Sequence, residues 1–360
     1  IRTTAHAGRS LIATRPIPRD TAILRTAPPL LAVVMREYRK EVCAHCFRYD
    51  RGRNLAVRST STGKSFCSEE CRGLWEEEVE AELGGDLGEG ANGLGVKSWE
   101  VVEDFVRRKG TANGAKDVVM HDVGDARPSL EDVSTAWADV KELGEAVRQA
   151  RSAQAKGDAL SKKQRKALND ALDSKSRIVD PDVLSLLLAG VLLRARSESA
   201  HPSDISPPSP YHTLLALAIT RTPYPTSHNL IAHASSYPIL LSLLPSPLLP
   251  FVTPSTLCFI PAHETHNSFG IRSLDDSGDE FLGYGVWADA SLFNHSCRPN
   301  VGKAPGRTWT FWTTRDVAEG EELCISYLGG EEGTLGVQER RKRLWDTWGF
   351  ECRCGKCDED

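Results

Sequence analysis

Three cysteines near the C-terminal end of the chain lie close enough together to bind one metal ion. Cys352, Cys354 and Cys357 occupy the stretch C-R-C-G-K-C, so one tight loop offers three thiolates. A structural zinc ion takes four ligands in a tetrahedron. Cys297, in the stretch N-H-S-C-R-P-N at 294–300, is the natural fourth ligand. Zinc bound by these four cysteines would hold the end of the chain against the N-H-S segment and close a pocket there.

A second group of four cysteines has the spacing of a zinc finger. Cys43 and Cys46 form C-x-x-C, Cys67 and Cys71 form C-x-x-x-C, and the loop between the pairs is rich in Arg, Ser, Thr and Gly. His45 lies inside the first pair and is an alternative ligand, although we favour four thiolates. The sequence therefore predicts a second structural zinc ion.

The remaining two of the ten cysteines are Cys258 and Cys324, each inside an apolar run. We expect both to be buried packing residues rather than ligands. No secretory leader is recognisable, so paired disulfides are not the default expectation. A reducing compartment, nucleus or cytoplasm or both, is expected.

Three motifs in order resemble the SET and post-SET signature of protein lysine methyltransferases. They are N-H-S-C-R-P-N at 294–300, G-E-E-L-C-I-S-Y at 320–327 and F-E-C-R-C-G-K-C at 350–357. The stretch at 7–24 is similar to the opening hairpin of a SET domain. The first cysteine group, at 43–71, resembles a MYND finger in which only the outer cysteine pairs remain, and these share one zinc ion in the family. The chain is thus similar to the SMYD group, in which a MYND-type finger splits the SET domain.

The resemblance implies an α+β fold, a SET-domain β-fold with a pseudo-knot, interrupted by a small zinc finger and by helical insertions. The predicted parts are an N-terminal SET part at 1–40, a reduced MYND-like finger at 41–83, a helical and flexible insertion at 84–178, a helical SET insert at 179–254, a C-terminal SET part at 255–330 and a post-SET zinc region at 331–360.

Local patterns predict where helices, strands and loops lie within this plan. The Gly-dense stretch 84–96 predicts a linker, and the polar stretch 109–128 a loop. The apolar run 183–193 is too short for a membrane span and predicts a buried helix. Further ranges follow from periodicity and composition: helices at 129–150, at 158–176 and within 180–250, and strands at 256–260, 281–287, 308–314 and 323–328.

The resemblance implies an S-adenosylmethionine-dependent protein lysine N-methyltransferase that acts on a histone tail or another protein lysine. Methyl transfer to an amine needs the neutral amine, whereas a free lysine has a pKa of about 10.4. A narrow apolar channel and the cationic sulfonium would both favour the neutral form. Positioning supplies most of the remaining acceleration, so both zinc ions would be structural.

The resemblance also assigns roles to individual residues. Tyr327 would be the catalytic tyrosine, the alternative being a packing residue at a strand end. Asn294 and His295 would bind the cofactor, the alternative being a purely structural polar knot. Phe350 would cover the adenine or line the lysine channel, or else only pack in the core. The full cofactor-binding set comprises Ala7, Gly8, Arg9, Asn267, Asn294, His295, Tyr327 and Phe350.

Two hypotheses from other functional classes remain open. The first is a zinc-finger adaptor that recruits proline-rich peptides and has an inactive SET domain. The second is a chromatin or nucleic-acid adaptor that acts through the basic segment 151–177, which contains K-K-Q-R-K at 162–166, although a net charge of -5 argues against direct nucleic-acid binding. This segment is either a solvated helix face or a surface that binds nucleic acid or an acidic partner. The basic stretch 338–345 has the same two interpretations, a solvated helix face or a surface for an acidic substrate. We expect no membrane association.

Overall fold

A computed structural model of the protein describes residues 1–4, 8–80, 93–109, 127–173, 177–199, 208–273 and 280–359. Ala7, residues 110–126 of the loop predicted at 109–128 and residues 84–92 of the predicted linker lie outside these ranges.

Twelve short strands lie in the first and last parts of the described chain. They are β1 Arg2–Thr4, β2 Gly8–Ser10, β3 Ala22–Arg25, β4 Leu31–Val34, β5 Val57–Ser59, β6 Lys64–Phe66, β7 Ser268–Arg272, β8 Phe281–Val286, β9 Asn294–His295, β10 Val301–Ala304, β11 Thr310–Thr313 and β12 Cys324–Ile325.

The strand pairing joins the two ends of the chain. One sheet has the order β10-β11-β3 and a second has the order β4-β8-β7, so β3 and β4 each pair with a strand more than 200 residues later. β9 and β12 form a short parallel pair, while β1 with β2 and β5 with β6 form antiparallel hairpins. The N-terminal strands therefore need the C-terminal third of the chain to complete their sheets.

Within the described ranges, ten α-helices lie between the two groups of strands or follow the last strand. They are α1 Glu69–Glu80, α2 Leu94–Lys109, α3 Leu130–Ala155, α4 Lys162–Ala171, α5 Pro181–Ser199, α6 Pro210–Leu215, α7 Ser227–Leu243, α8 Pro254–Glu264, α9 Val337–Trp348 and α10 Gly355–Glu359.

Helix α5 lies at the centre of the largest hydrophobic core, as the apolar run at 183–193 predicted. Leu184, Leu187, Leu188 and Val191 have no exposed surface. The helix packs on β4, α7 and α8. Gly190 lets α5 and α8 pack closely, because an added Cβ at this position would lie 2.1 Å from the Ile260 side chain of α8. Among the described residues, none of the helices is long and apolar enough to cross a membrane.

The α+β class and most of the predicted elements are confirmed. α3 and α4 begin at the serine caps Ser129 and Ser161, and agree with the helices predicted at 129–150 and 158–176 except at their ends. β8, β11 and β12 lie within the strands predicted at 281–287, 308–314 and 323–328.

Three local predictions are wrong. The strand predicted at 256–260 lies inside α8, because Thr253 accepts the Thr256 N–H as an N-cap and Pro254 occupies the first turn. The predicted linker ends too late, since Glu80 accepts the N–H groups of Gly95 and Val96 at the start of α2.

The third error concerns the opening hairpin predicted at 7–24. The hairpin consists of β1 and β2, whereas β3 pairs with β11 instead of with β2. Between them, Ile12 and Ile17 form single bridges to Glu322 and Val317. Long-range pairing of this kind leaves no local signal in the sequence.

Candidate functional site

Tyr327 lies two residues after β12, in a half-buried position enclosed by aromatic rings. Its ring centroid is 5.1 Å from that of Trp348 and 5.4 Å from that of His295. Phe350 meets it edge to face at 6.3 Å. Burial raises the pKa of Tyr327 well above its usual value, and the nearby Glu322 carboxylate raises it further. The phenol is therefore protonated at neutral pH and can donate a hydrogen bond.

A single short segment, 293–295, holds Tyr327 at both ends. The Tyr327 hydroxyl donates to the carbonyl oxygen of Phe293 over 2.8 Å. Its backbone N–H donates to Nδ1 of His295 over 3.0 Å. Because the hydroxyl and the backbone N–H of Tyr327 both bond to this segment, the direction of the Tyr327 side chain is fixed relative to β9.

Three stretches of chain meet behind this tyrosine, namely 9–13, 294–300 and 321–325. Asn294 Nδ2 donates to the Arg9 carbonyl over 3.0 Å and to Glu322 Oε1 over 2.8 Å. The parallel pair β9 and β12 adds backbone pairing between the second and third stretches. This is the arrangement expected where an N-H-S segment passes beneath a C-terminal strand. The Asn294 amide nitrogen donates only to groups of the protein in this arrangement.

Asn300 also connects the second and third stretches, a role that was not predicted from the sequence. Its Oδ1 accepts the Cys324 N–H over 2.8 Å, and its Nδ2 donates to the Glu322 carbonyl over 2.8 Å. Asn300 is 2% exposed. The available signal was its position at the end of the N-H-S-C-R-P-N motif, where a buried amide can pair with a strand edge.

Gly8 and Arg9 lie at the edge of the same cluster. Gly8 has a φ of +67°, which favours glycine, and an added Cβ there would meet no atom of the described residues within 4 Å, its chain neighbours aside. The described part of the chain therefore leaves space beside Gly8, one residue from the Arg9 carbonyl that Asn294 binds. Both the backbone conformation and the free space fit a residue that borders a bound cofactor.

Asn267, predicted to bind the cofactor, is buried and uses its side-chain amide within the protein. Its Nδ2 donates to the carbonyls of Ala218 and His263, over 2.8 Å and 2.6 Å. Its own carbonyl accepts from Ser291, which is its connection to the segment before β9. In this structure the Asn267 side chain fastens the end of α8, and its contact with a cofactor stays a prediction.

The cysteines of the post-SET stretch and Cys297 come together as one group. The four Sγ atoms lie within 4.8 Å of one another, with 3.5 Å between Cys297 and Cys357 and 3.9 Å between Cys297 and Cys352. Zn–S bonds of about 2.3 Å in a tetrahedron place sulfur atoms about 3.8 Å apart. The four thiols therefore fit a zinc ion without rearrangement of the chain.

A buried arginine supports the same conclusion. Arg340 of α9 is 1% exposed and donates to Cys357 Sγ over 3.6 Å and to the Leu335 carbonyl over 2.6 Å. Four thiolates and one Zn²⁺ carry two net negative charges, which a buried guanidinium can offset. The whole basic stretch 338–345 was predicted to lie at the surface. For Arg340 that prediction is wrong.

The finger cysteines form a second group of similar geometry. The Sγ atoms of Cys43, Cys46, Cys67 and Cys71 lie within 4.8 Å of one another, and 3.5 Å separates Cys46 from Cys67. His45 is not a member, because its Nδ1 lies 3.7 Å from Glu78. The four thiols again fit one zinc ion.

All ten cysteines lie in described stretches and none forms a disulfide. Cys258 in α8 and Cys324 in β12 belong to neither group of four. Burial raises the pKa of each thiol to about 12, so both are neutral packing residues. They are half-buried rather than fully buried as predicted.

Burial and nearby positive charges leave His295 neutral. Burial, followed by repulsion from Lys303 and Arg340, lowers the pKa of His295 to about 4. Burial also lowers the pKa of Lys303 to about 8, and its Nζ donates to the Ser326 carbonyl over 2.7 Å. The site thus combines a protonated phenol, a neutral imidazole and an aromatic wall beside a cluster of four thiols.

Comparisons with known proteins agree with this arrangement. The family described as "SET domain" matches residues 8–328 of the chain. The potential protein lysine methyltransferase SET6 of Saccharomyces cerevisiae is 34% identical over 146 residues, 37% of this chain and 39% of that protein. The histone-lysine N-methyltransferase ASHR2 of Arabidopsis thaliana is 28% identical over 175 residues, 44% of this chain and 43% of that protein.

The SMYD group appears among the similar proteins as well. The histone-lysine N-methyltransferase SMYD3 of Homo sapiens is 40% identical over 92 residues, which make up 25% of this chain and 20% of that protein. The chain therefore aligns with less than half of the length of each of these three relatives.

Proposed function

Because the chain belongs to the SET domain family and has the two four-cysteine groups of a SMYD-like protein, we propose that it is an S-adenosylmethionine-dependent protein lysine N-methyltransferase. The observation that carries the proposal is the environment of Tyr327. Its protonated hydroxyl is fixed on the Phe293 carbonyl, inside a wall formed by His295, Trp348 and Phe350.

Residues of three stretches would hold the cofactor. The open space beside Gly8 would admit it, and the Arg9 backbone and the Asn294 Oδ1 oxygen would bind its polar groups. Phe350, half-buried and 6.3 Å from His295, would cover its apolar face. When bound, S-adenosylmethionine supplies a methyl group on a positively charged sulfur. The cofactor roles of Ala7 and Asn267 belong to the same proposal.

The chain's own residues would prepare the lysine. Trp348 and Phe350 form an apolar wall that excludes water, and exclusion of water favours the neutral amine. The Tyr327 hydroxyl and the Phe293 carbonyl, 2.8 Å apart, would bind and orient the amine nitrogen. Alignment of amine and methyl group then supplies most of the acceleration. Zinc at each four-cysteine group would hold the surrounding chain in place and take no part in the reaction.

A lysine on another protein would be the substrate, with histone tails the first candidates because two relatives are named histone-lysine N-methyltransferases. The proposal is tested by incubating zinc-loaded protein with methyl-labelled S-adenosylmethionine and with histones or an array of lysine peptides. Transfer of label to a lysine, lost in Tyr327→Phe, is the expected result. No transfer to any substrate, together with no cofactor binding, would favour the adaptor with an inactive SET domain. A nuclear or cytoplasmic location is part of the proposal.

A further inference from the structure

Both ring nitrogens of His295 have a partner, and the partners belong to different parts of the site. Nδ1 lies 3.0 Å from the backbone nitrogen of Tyr327, and Nε2 lies 3.2 Å from Sγ of Cys297. His295 therefore lies between the aromatic wall and the post-SET group of cysteines. Its side chain is used within the protein, so any contact of His295 with the cofactor must come from its main chain.

The geometry fixes which nitrogen carries the proton. The Tyr327 N–H can only donate, so Nδ1 must be the acceptor and carries no proton. The single proton of the imidazole then lies on Nε2, which donates it to Cys297 Sγ. A thiolate is the better acceptor of such a bond, and a zinc-bound thiolate is the form that Cys297 would take.

The Cys297 sulfur thus has a donor on the side that faces Tyr327. Two of the other cysteines have donors of their own, since the Cys297 N–H donates to Cys354 Sγ over 3.4 Å and Arg340 donates to Cys357 Sγ. Donors of this kind orient metal ligands and set their charge. Among these donors, His295 also bonds directly to Tyr327.

We infer that His295 is a positioning residue that ties the backbone of Tyr327 to the zinc-binding thiolate of Cys297, so that the post-SET zinc ion sets the direction of the Tyr327 hydroxyl. The inference rests on the proposed function for the role of Tyr327. It does not need that function for the bond between His295 and Cys297. Neither the composition nor the spacing of the motif indicated this bond.

Two variants separate the two bonds of His295. In His295→Asn the side-chain oxygen takes the place of Nδ1 and can still accept the Tyr327 N–H, but the donor to Cys297 is lost. In His295→Gln the side-chain amide reaches the place of Nε2 and can still donate to Cys297, but the acceptor for Tyr327 is lost. The two variants are therefore matched controls for each other.

The bond between His295 and Cys297 is tested by metal-binding measurements that need no methyl transfer. In His295→Asn we expect zinc to be lost to a chelator about 10- to 100-fold faster than in the wild type, and the thiolate-to-cobalt absorption band of cobalt-loaded protein to move. In His295→Gln both should stay near the wild-type values. Wild-type behaviour of His295→Asn in both readouts, or equal loss in the two variants, would overturn the inference.

The effect of His295 on Tyr327 is tested by methyl-transfer kinetics. With zinc in excess, each variant breaks one of the two bonds that tie Tyr327 to Cys297, so each should lower kcat about tenfold with little change in KM for S-adenosylmethionine. Wild-type kcat in either variant would show that the zinc ion does not set the direction of the Tyr327 hydroxyl through His295. A protein that transfers no methyl group in any form would end the proposed function but would leave the metal result standing.

A measurement on the wild-type protein covers the case in which neither variant folds. With cadmium-113 in place of zinc, a nuclear magnetic resonance correlation between the metal and an imidazole N–H proton is expected from the Nε2–H···Sγ bond. The same imidazole should be the neutral tautomer with its proton on Nε2. A proton on Nδ1 of His295 would overturn the inference.

Discussion

The two groups of four cysteines have the same ligands but are embedded differently. Cys43, Cys46, Cys67 and Cys71 of the finger pack on the largest hydrophobic core, which includes Trp75 and Leu187. The post-SET cysteines form a small separate cluster around Leu344, with Tyr327 and Phe350 at its edge. The finger can therefore rely on a large buried surface, whereas the post-SET region has only a small core of its own, so zinc bound to its four thiols would be its main support.

Polar contacts add to the attachment of the finger. Arg307, between β10 and β11, donates to the His45 carbonyl over 2.5 Å and to Glu78 over 2.6 Å. Arg196 of α5 donates to the Glu78 carbonyl over 2.5 Å. These bonds tie both ends of the finger to the SET domain. On the proposed function, zinc bound to the finger would support a scaffold, whereas zinc bound to the post-SET group would position the reacting groups.

The largest expected effect is a loss of catalytic activity in Tyr327→Phe, on the post-SET side. Loss of the hydroxyl removes the donor to the Phe293 carbonyl and should lower kcat about 10²- to 10³-fold. Thermal unfolding should stay near that of the wild type. Tyr49→Phe is the control on the finger side, because it removes a hydroxyl that donates to Glu280 over 2.7 Å. Equal loss of activity in both variants would remove the distinction between the regions.

The next effect is expected from Cys354→Ser. Metal analysis should find one zinc ion per chain instead of the two that the two groups predict. Because the small cluster then loses its main support, affinity for S-adenosylmethionine should fall at least about tenfold, or about 1.4 kcal/mol. Calorimetric titration measures the change. Unchanged affinity after loss of this zinc ion would show that the post-SET region does not shape the pocket.

Cys67→Ser makes the same chemical change in the finger. It should also leave one zinc ion per chain, but the consequence should appear in stability rather than in cofactor binding. We expect the free energy of unfolding to fall by about 3 kcal/mol, since the finger packs on the main core. Denaturant unfolding and calorimetry together check this prediction. A tenfold loss of cofactor affinity with unchanged stability would reverse the comparison.

The smallest effect is expected from Arg307→Gln, which removes the ion pair with Glu78. The pair is partly exposed, so its loss should cost about 1 kcal/mol of stability. Arg53→Gln is the control, because the Arg53 pair with Asp50 is mostly exposed and should contribute nothing measurable. Denaturant unfolding of both variants would reveal equal stabilities if Arg307 did not hold the finger.

The sequence predicted the parts of the site that depend on residue type and spacing. Both groups of cysteines come together as their spacing indicated, and Tyr327 lies next to one of them. Arg340 was missed although it lies on the same face of α9 as Val337 and Leu344, because its charge was taken as a sign of exposure.

Features that depend on tertiary contacts were harder to predict. Trp348, at the C-terminal end of α9, packs on the ring of Tyr327, and no local pattern indicates that contact. The segment 256–260 is rich in residues that favour strands, yet its N-cap and its burial against α5 make it a helix. Likewise, both bonds of His295 depend on where β12 and Cys297 lie in the fold.

The most direct test of the account is calorimetric titration of zinc-loaded protein with S-adenosylmethionine, with metal analysis of the same sample. The account predicts binding in the micromolar range and two zinc ions per chain. Such a result would confirm a cofactor pocket held by the post-SET zinc ion before any substrate is known. A folded sample with both zinc ions that does not bind S-adenosylmethionine would contradict it.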